Sequence, residues 1–429
     1  MVSKRMNSSR LQCVQCNAIY SIDEIRFSCT CGHLLDVVHD LDALKLLVSR
    51  DMFDGRLGSV DAPLSSGVWR FRELIMPEVA DEDIVTKSEG NTRLYRSKRI
   101  SNWTGLEKLY LKHEGENPTG SFKDRGMTVA VTKAKRLERR AVVCASTGNT
   151  SASLASYASE GGLTGIVLIP HGDVAFGKVA QALAYGAKTL MVRGDFDDCM
   201  RLIQEAEASL KAYPLNSINP FRLEGQKTIM WETLQQLHWH VPDWIVLPGG
   251  NLGNTSAFGK AFYEAKEIGL IDRMPRFAVI QASGANPFYS AYKRNFDSLQ
   301  TVKASTIATA IKIGNPVNYE KAVRTLRWTN GISEQVSDEE ILDAKGIVDA
   351  SGIGAEPASC ATVAGVQKLV ANGVIKKTET VVGLLTGHVL KDPDAIAKYH
   401  DREPNHRYSN PPRQINPSLD ELAAILKEQ

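Results

Sequence analysis

No stretch of the 429 residues approaches the roughly 20 consecutive apolar positions that a membrane-spanning helix requires. The longest candidates, Gly165–Pro170 and Val381–Leu385, have the length of strands. The opening MVSKRMNSSR carries charge but no apolar h-region, so no signal peptide is read there, and a cytoplasmic location is the default expectation. An excess of one charge is also missing: 51 Lys plus Arg stand against 49 Asp plus Glu, a net charge of +2. That balance argues against a chain dominated by nucleic-acid contacts, and against extensive disorder. Internal repeats and low-complexity segments are absent. Cysteine is scarce and odd in number, at seven, which does not suit a disulfide framework.

What is present is ordinary globular material, 43% apolar and 23% charged, enough for two or three structural units. Four of the cysteines, Cys13, Cys16, Cys29 and Cys31, crowd into residues 1–40 in the order C-x2-C, twelve residues, C-x-C-G-H. So small a segment cannot build a core alone, and a tetrahedral zinc would supply the missing stability. These four are the candidate zinc ligands of a ribbon-like unit. The second pair is one residue short of usual spacing, and His33 is an alternative ligand. A remnant knuckle of reduced thiols is the other reading.

From about residue 110 to 390, short β-branched runs alternate with helical periodicity. Strands are expected at Lys108–Lys112, Ala141–Ala145, Gly165–Ile169, Lys188–Val192, Trp244–Leu247, Phe277–Gln281 and Thr380–Leu385. Met127, Ala130, Val131 and Ala134 recur at helical spacing. Asp195 suits a helix cap, and Ser337 with Glu340 suits a capping box. The fold class this implies is α/β, parallel sheets with helices on both faces. Ligands in such folds bind where strand ends turn into helices. Residues 401–429 form a Pro-rich tail closed by a short amphipathic helix at Leu419–Lys427, read as a packing or oligomer contact.

Four turns stand out. Pro248–Asn254 (PGGNLGN) leads from a strand to a helix, and its glycines let several N–H groups and a helix dipole face one anion; a tight structural turn is the alternative. It lacks the G-x-G-x-x-G dinucleotide spacing. Gly172–Val179 nearly matches a nucleotide P-loop, but Val179 offers no hydroxyl for magnesium, so ATP binding is rejected; Lys178 is left to meet an anion or the solvent. Ala145–Thr150 (ASTGNT) makes an uncharged polar turn suited to a carboxylate or a phenolic oxygen, or simply a helix cap. Asn117–Gly126 (NPTGSFKDRG) sets Lys123 at a helix start, where the dipole should depress its pKa and leave a neutral amine able to attack a carbonyl. With the anion cradle holding the other end, this suits a pyridoxal cofactor.

Together the motifs Glu116–Met127 (ENPTGSFKDRGM), Ser146–Asn149 (STGN), Asn216–Lys227 (NSINPFRLEGQK), Gly249–Gly253 (GGNLG) and Leu385–Asp392 (LTGHVLKD) cover most of residues 89–393. On them the chain resembles the pyridoxal-phosphate enzymes of fold type II, the tryptophan synthase β-like group, and within it the threonine synthase family. The resemblance implies two open twisted α/β subdomains in a catalytic unit over residues 41–400, the smaller and mobile one at roughly 130–225. It implies that Lys123 carries pyridoxal 5'-phosphate covalently with Phe122 beside the ring. Asn149 would bond the phenolic oxygen, Gly249, Gly250, Asn251, Leu252 and Gly253 would hold the cofactor phosphate, and Thr386 would face the pyridine nitrogen. Ser146 and Thr147 would take the substrate carboxylate. Lys178, Asn216, Ser217 and Arg222 would take the phosphate of O-phospho-L-homoserine, though Asn216 and Ser217 also suit a plain turn before Pro220. The implied reaction is a γ-elimination followed by β-addition of water, giving L-threonine and phosphate. A homodimer is expected by the same resemblance.

One departure stands inside the motifs: Gly-Asn-Thr-Pro-Leu is usual, whereas here Arg93 replaces the proline. Other readings share the cofactor, namely a threonine or serine dehydratase and a cysteate synthase-like enzyme acting on O-phosphoserine. Dehydratases need no phosphate clamp, so Arg222 and Lys178 favour the phosphorylated substrates. A zinc-ribbon binding protein with a silent enzyme fold is the non-enzyme reading, and the intact Lys123, Asn149, cradle and Thr386 argue against it.

Overall fold

Hydrophobic residues on both faces of a strand demand cover on both faces, and strand β10 (Trp244–Pro248) shows how this chain provides it. Trp244 and Val246 pack into one apolar cluster with the helix Pro357–Ala371, while Ile245 and Leu247 pack into another with the helices Pro220–Gln236 and Gly253–Glu267. β11 (Arg276–Ala282) divides the same way, Phe277 and Val279 against Ala278 and Ile280. Both strands are therefore continuously apolar instead of alternating, as buried parallel strands are. Each large side chain so buried contributes about 1.5–3 kcal/mol. The computed structural model describes residues 9–172, 176–401 and 407–427, for 176–178 and 401 the backbone alone.

Three sheets organise the described residues. The large one has the order β12 (Ile332–Val336), β11, β10, β13 (Thr380–Leu385), β5 (Lys108–His113), β4 (Leu94–Tyr95), and only β4 runs antiparallel to its neighbour. Its register places Val246 beside both Ala278 and Gly383. The second sheet is wholly parallel, in the order β8 (Lys188–Val192), β7 (Thr164–Pro170), β6 (Ala141–Ala145), β9 (Tyr213–Pro214). It is inserted in the chain between β5 and β10. A small antiparallel sheet, β2 (Ile19–Ser21), β1 (Arg10–Cys13), β3 (Leu35–Val38), carries the N-terminal cysteines.

All seven expected strands are present, each within one residue of the expected ends. β12, β9, β4 and the three N-terminal strands were not anticipated. Ser337 and Glu340 form a reciprocal capping box, and Asp195 caps its helix through the N–H groups of Asp197 and Asp198. Met127, Ala130, Val131 and Ala134 are all fully buried on the helix Lys123–Arg136. Among the described residues, no helix is long and apolar enough to cross a membrane.

Two helices join the large and inserted sheets, Lys123–Arg136 and Pro220–Gln236. They cross so closely that a Cβ on Gly225 would lie 1.8 Å from the carbonyl oxygen of Arg125, and one on Gly126 would lie 2.9 Å from that of Arg222. Only glycine permits this approach.

Candidate active site

The carboxyl ends of β6, β10 and β13, with the turn that follows β5, line one cavity of about 420 Å³ between the large sheet and the inserted one. Its lining includes Phe122, Lys123, Ser146, Thr147, Asn149, Asn216, Ser217, Arg222, Gly250, Asn251, Leu252, Gly253 and Thr386. Residues expected from all five sequence motifs are thus brought together. Gly249 is placed apart from them: it follows the last residue of β10, with its N–H donated to Ile280 O and its carbonyl accepting from Gln281. Lys178 falls in the helix Phe176–Ala184, and its side chain lies outside the described residues.

Lys123 opens its helix. The preceding Phe122 N–H donates to Thr386 O at 3.0 Å, tying the helix start to the end of β13. The next residue, Asp124, accepts from Thr119 and Ser153, which holds the turn. The Lys123 ammonium sits 4.1 Å from the Phe122 ring centroid. Its pKa is depressed to about 7 by burial first and by the nearby Arg222 second, with Glu356 opposing. The expected cause was the helix dipole; the structure replaces it with desolvation.

The glycine turn enters the helix Gly253–Glu267 through Leu252, whose φ of 63° is a left-handed conformation costly for a side chain with a Cβ. That geometry points successive N–H groups to one side, as anion-binding nests do. Around it, Arg222 Nε, Gln226 Oε1, Asn254 Oδ1, Thr255 Oγ1 and Asn318 Oδ1 are buried without hydrogen-bond partners. Unpaired buried polar atoms are expensive, so their gathering at this turn marks a polar ligand. The cradle's N–H groups suit a phosphate, the Phe122 ring offers a face to an aromatic ring and the Lys123 amine can take an aldehyde carbon, so the residues present fit pyridoxal phosphate.

Arg222 lies buried in the same cavity. One Nη donates to Leu215 O at 3.0 Å, and no carboxylate pairs with it among the described residues. Burial pushes its pKa down to about 10. Asn216 is engaged with both the N–H and the carbonyl of Ala145, so it fastens the end of β6 whatever else it does.

Among the lining residues that were not anticipated, two make polar contacts across the cavity, Glu356 and Lys391. Glu356 accepts from Asn149 Nδ2 at 3.0 Å and from Thr386 Oγ1 at 3.1 Å, and burial raises its pKa. Lys391 donates to Thr119 O at 3.1 Å and bonds Gln181 of the inserted unit. A signal existed for both. Glu356 precedes Pro357 at a helix start, a favoured place for a carboxylate, and Lys391 lies inside the Leu385–Asp392 motif. Arg93 lies outside the cavity lining. Its N–H, which a proline would lack, donates to Glu116 at 2.7 Å, and its guanidinium pairs with the same carboxylate.

At the N-terminus, the Sγ atoms of Cys13, Cys16, Cys29 and Cys31 all lie within 4.8 Å of one another. His33 is not among them, because it pairs with Glu320 at 2.6 Å.

Comparison with known proteins agrees with this geometry. Residues 85–387 match the family described as pyridoxal-phosphate dependent enzyme, and the chain belongs to that class. Pyridoxal phosphate is its cofactor. The chain is 46% identical over 419 residues to the threonine synthase of Methanocaldococcus jannaschii, covering 97% of this chain and 99% of that one. It is 49% identical over 389 residues to the threonine synthase of Methanosarcina acetivorans, covering 90% and 93%. Within the class, then, it is a lyase of the threonine synthase family. The solved threonine synthase of Escherichia coli superposes with a TM-score of 0.70 at 17% identity, over 98% of this chain and all of that one, which speaks for the fold.

Proposed function

We propose that the cavity converts O-phospho-L-homoserine and water to L-threonine and phosphate by γ-elimination and β-addition. The observation that carries this reading is Arg222, a buried cation that no carboxylate pairs with among the described residues, in a cavity whose cradle is assigned to the cofactor phosphate. A second anionic group on the substrate satisfies it, and Arg presents a planar fork of donors to phosphate. Dehydratase substrates carry no such group.

When bound, pyridoxal phosphate supplies an electron sink for negative charge at the substrate carbons. The chain's own residues do the rest. Lys123 holds the cofactor and, once displaced by the substrate amine, takes a proton from the α-carbon. It then takes one from the β-carbon as phosphate leaves and returns a proton to the γ-carbon, which becomes the methyl group, as a depressed pKa near 7 permits. Phosphate leaves from the γ-carbon toward Arg222, Ser217 and Asn216. Ser146 and Thr147 orient the carboxylate. Asn149 and Thr386 address the cofactor's phenolic oxygen and ring nitrogen, with Phe122 against the ring and Gly250, Asn251, Leu252 and Gly253 about its phosphate, while Gly249, bonded to Ile280, takes no part. Water then adds at the β-carbon, so one C–O bond breaks and one forms. Closure of the smaller subdomain, roughly residues 130–225, excludes bulk water during these transfers.

The four cysteines hold zinc in this reading. A tetrahedron with Zn–S arms of about 2.3 Å has S–S edges of about 3.8 Å. The Cys13–Cys31, Cys16–Cys29 and Cys16–Cys31 separations of 3.5 Å support it. Seven free thiols support a reducing, cytoplasmic setting. The outward Leu419, Leu422 and Leu426 support a homodimer.

A two-substrate assay tests the function. O-Phosphohomoserine should yield threonine and phosphate in equal amounts, while threonine should yield little 2-oxobutyrate. Dominant 2-oxobutyrate formation, or sulfite-dependent turnover of O-phosphoserine, would overturn the assignment.

A further inference from the structure

We propose that the zinc-loaded N-terminal unit is a positioning element for the substrate-phosphate end of the active site. The inference rests on the zinc and substrate readings above and adds a connection between them.

The connection is short. Within eight residues of Cys31, the chain grips three helices of the catalytic unit, Tyr319–Trp328, Pro220–Gln236 and Gly253–Glu267. Asp36 pairs with Lys321 at 2.9 Å and Arg324 at 2.7 Å, and Lys321 also donates to Leu35 O at 2.7 Å. His33 pairs with Glu320, and the buried His39 pairs with the buried Glu224 at 2.8 Å. Lys260 completes the grip through Val37 O and Glu224.

The gripped residues are immediate neighbours of the site. Glu320 and Lys321 follow Asn318, whose N–H donates to Asn251 O at 3.1 Å and whose Nδ2 donates to Ser217 O at 3.2 Å. Glu224 lies two residues beyond Arg222 on one helix. Asn251, Ser217 and Arg222 all line the cavity. Among the described residues, the lysine helix is ion-paired to this unit only at Lys133, by the exposed Asp23, ten residues from Lys123. The unit therefore braces the substrate end more directly than the covalent anchor. Without the metal, the segment Cys13–Cys31 has little core of its own, and the strand bearing Asp36 loses its frame. Small displacements at such a distance are enough to move a binding group.

The test uses the full-length holoenzyme. Metal content, cofactor absorbance, kcat and KM for O-phosphohomoserine are measured before chelation, after chelation and after zinc is restored. Asp36→Asn, which leaves the thiols intact, is measured alongside, with His39→Gln as the substitute should that variant fail to fold. The expected result is one zinc per chain. On stripping, and equally in zinc-replete Asp36→Asn, KM should rise roughly 10- to 100-fold, with cofactor content and kcat nearly unchanged. Protein that neither contains nor takes up zinc would sink the metal reading. Bound zinc with an unaltered KM in both the stripped enzyme and the variant would sink the coupling alone. Simultaneous loss of helicity, cofactor and kcat on stripping, beside a normal Asp36→Asn, would make the unit a mere folding staple and also overturn it. A KM effect on a different substrate would leave the coupling standing and refute O-phosphohomoserine as the ligand.

Discussion

At the scale of single residues, Lys123 decides whether the chemistry can start. A lysine amine ordinarily titrates at 10.5, and here it titrates at about 7 because the ammonium loses its water on burial and sees Arg222. In the apoprotein, the rate of covalent cofactor attachment should therefore rise through pH 7 and level off near pH 8. An exposed lysine would keep accelerating toward pH 10. Stopped-flow absorbance of the developing cofactor band checks this, and a rate still climbing above pH 9 would contradict it. Apoprotein stability moves in the same direction. Between about 7 and 10.5 the unfolded chain binds the proton that the folded chain has released, so stability rises with pH across that window. The lysine itself was legible from NPTGSFKDRG, but the cause of its pKa was not. Burial by Phe122, Arg222 and residues of three other turns is a property of the assembled cavity. Glu356 and Lys391 each left a sequence signal, a carboxylate at a helix start and a place inside a motif, but what they do depends on what faces them in the assembled cavity.

At the scale of elements, two features hold the lysine and arginine helices in register. The first is the contact at Gly126 and Gly225. Gly225→Ala would drive a methyl into the backbone of Arg125, so the helices must part. A loss of about 1–3 kcal/mol is expected, together with reduced kcat/KM, because Lys123 and Arg222 ride on those helices. Urea titration and steady-state kinetics read the two effects. The second is Glu232, buried and shared by Arg125 at 2.8 Å, Lys112 at 2.5 Å and Arg70 at 2.9 Å; its carboxylate also receives the N–H groups of Asn91 and Thr92. Burial works against its charge, yet the three cations hold its pKa well below 4.5. Its contribution is therefore present above pH 4.5 and lost as pH falls below that value. Glu232→Gln strands those cations and should cost about 3–5 kcal/mol in urea unfolding at pH 7. The central strands were readable because both faces are buried and their sequences are plain apolar runs. β12, Ile332–Val336, escaped notice because it lies at the sheet edge and carries Ser333, Glu334 and Gln335. β9 has only two residues, too few for any period to show.

At the scale of the whole molecule, the chain leaves the large sheet after β5, builds the second sheet, and returns at β10. The cavity thus lies between two bodies that the chain crosses by the paired helices. Motion between them is opposed by polar ties across the gap, Asn149 to Glu356 and Gln181 to Lys391. The second tie joins the helix Phe176–Ala184 to the end of the Leu385–Asp392 motif, and burial lowers the pKa of its lysine. If closure protects the reaction from water, the tie should bias the closed state without touching the cofactor's covalent link. Lys391→Met keeps the apolar stem and removes the charge. Hydrogen exchange across residues 176–184 should slow when substrate is added to the parent enzyme and slow much less in the variant. KM should rise roughly tenfold, while borohydride reduction should still fix the cofactor on Lys123. Equal protection in both proteins would mean that the two bodies close by packing alone, and that Lys391 merely fills the wall of the cavity.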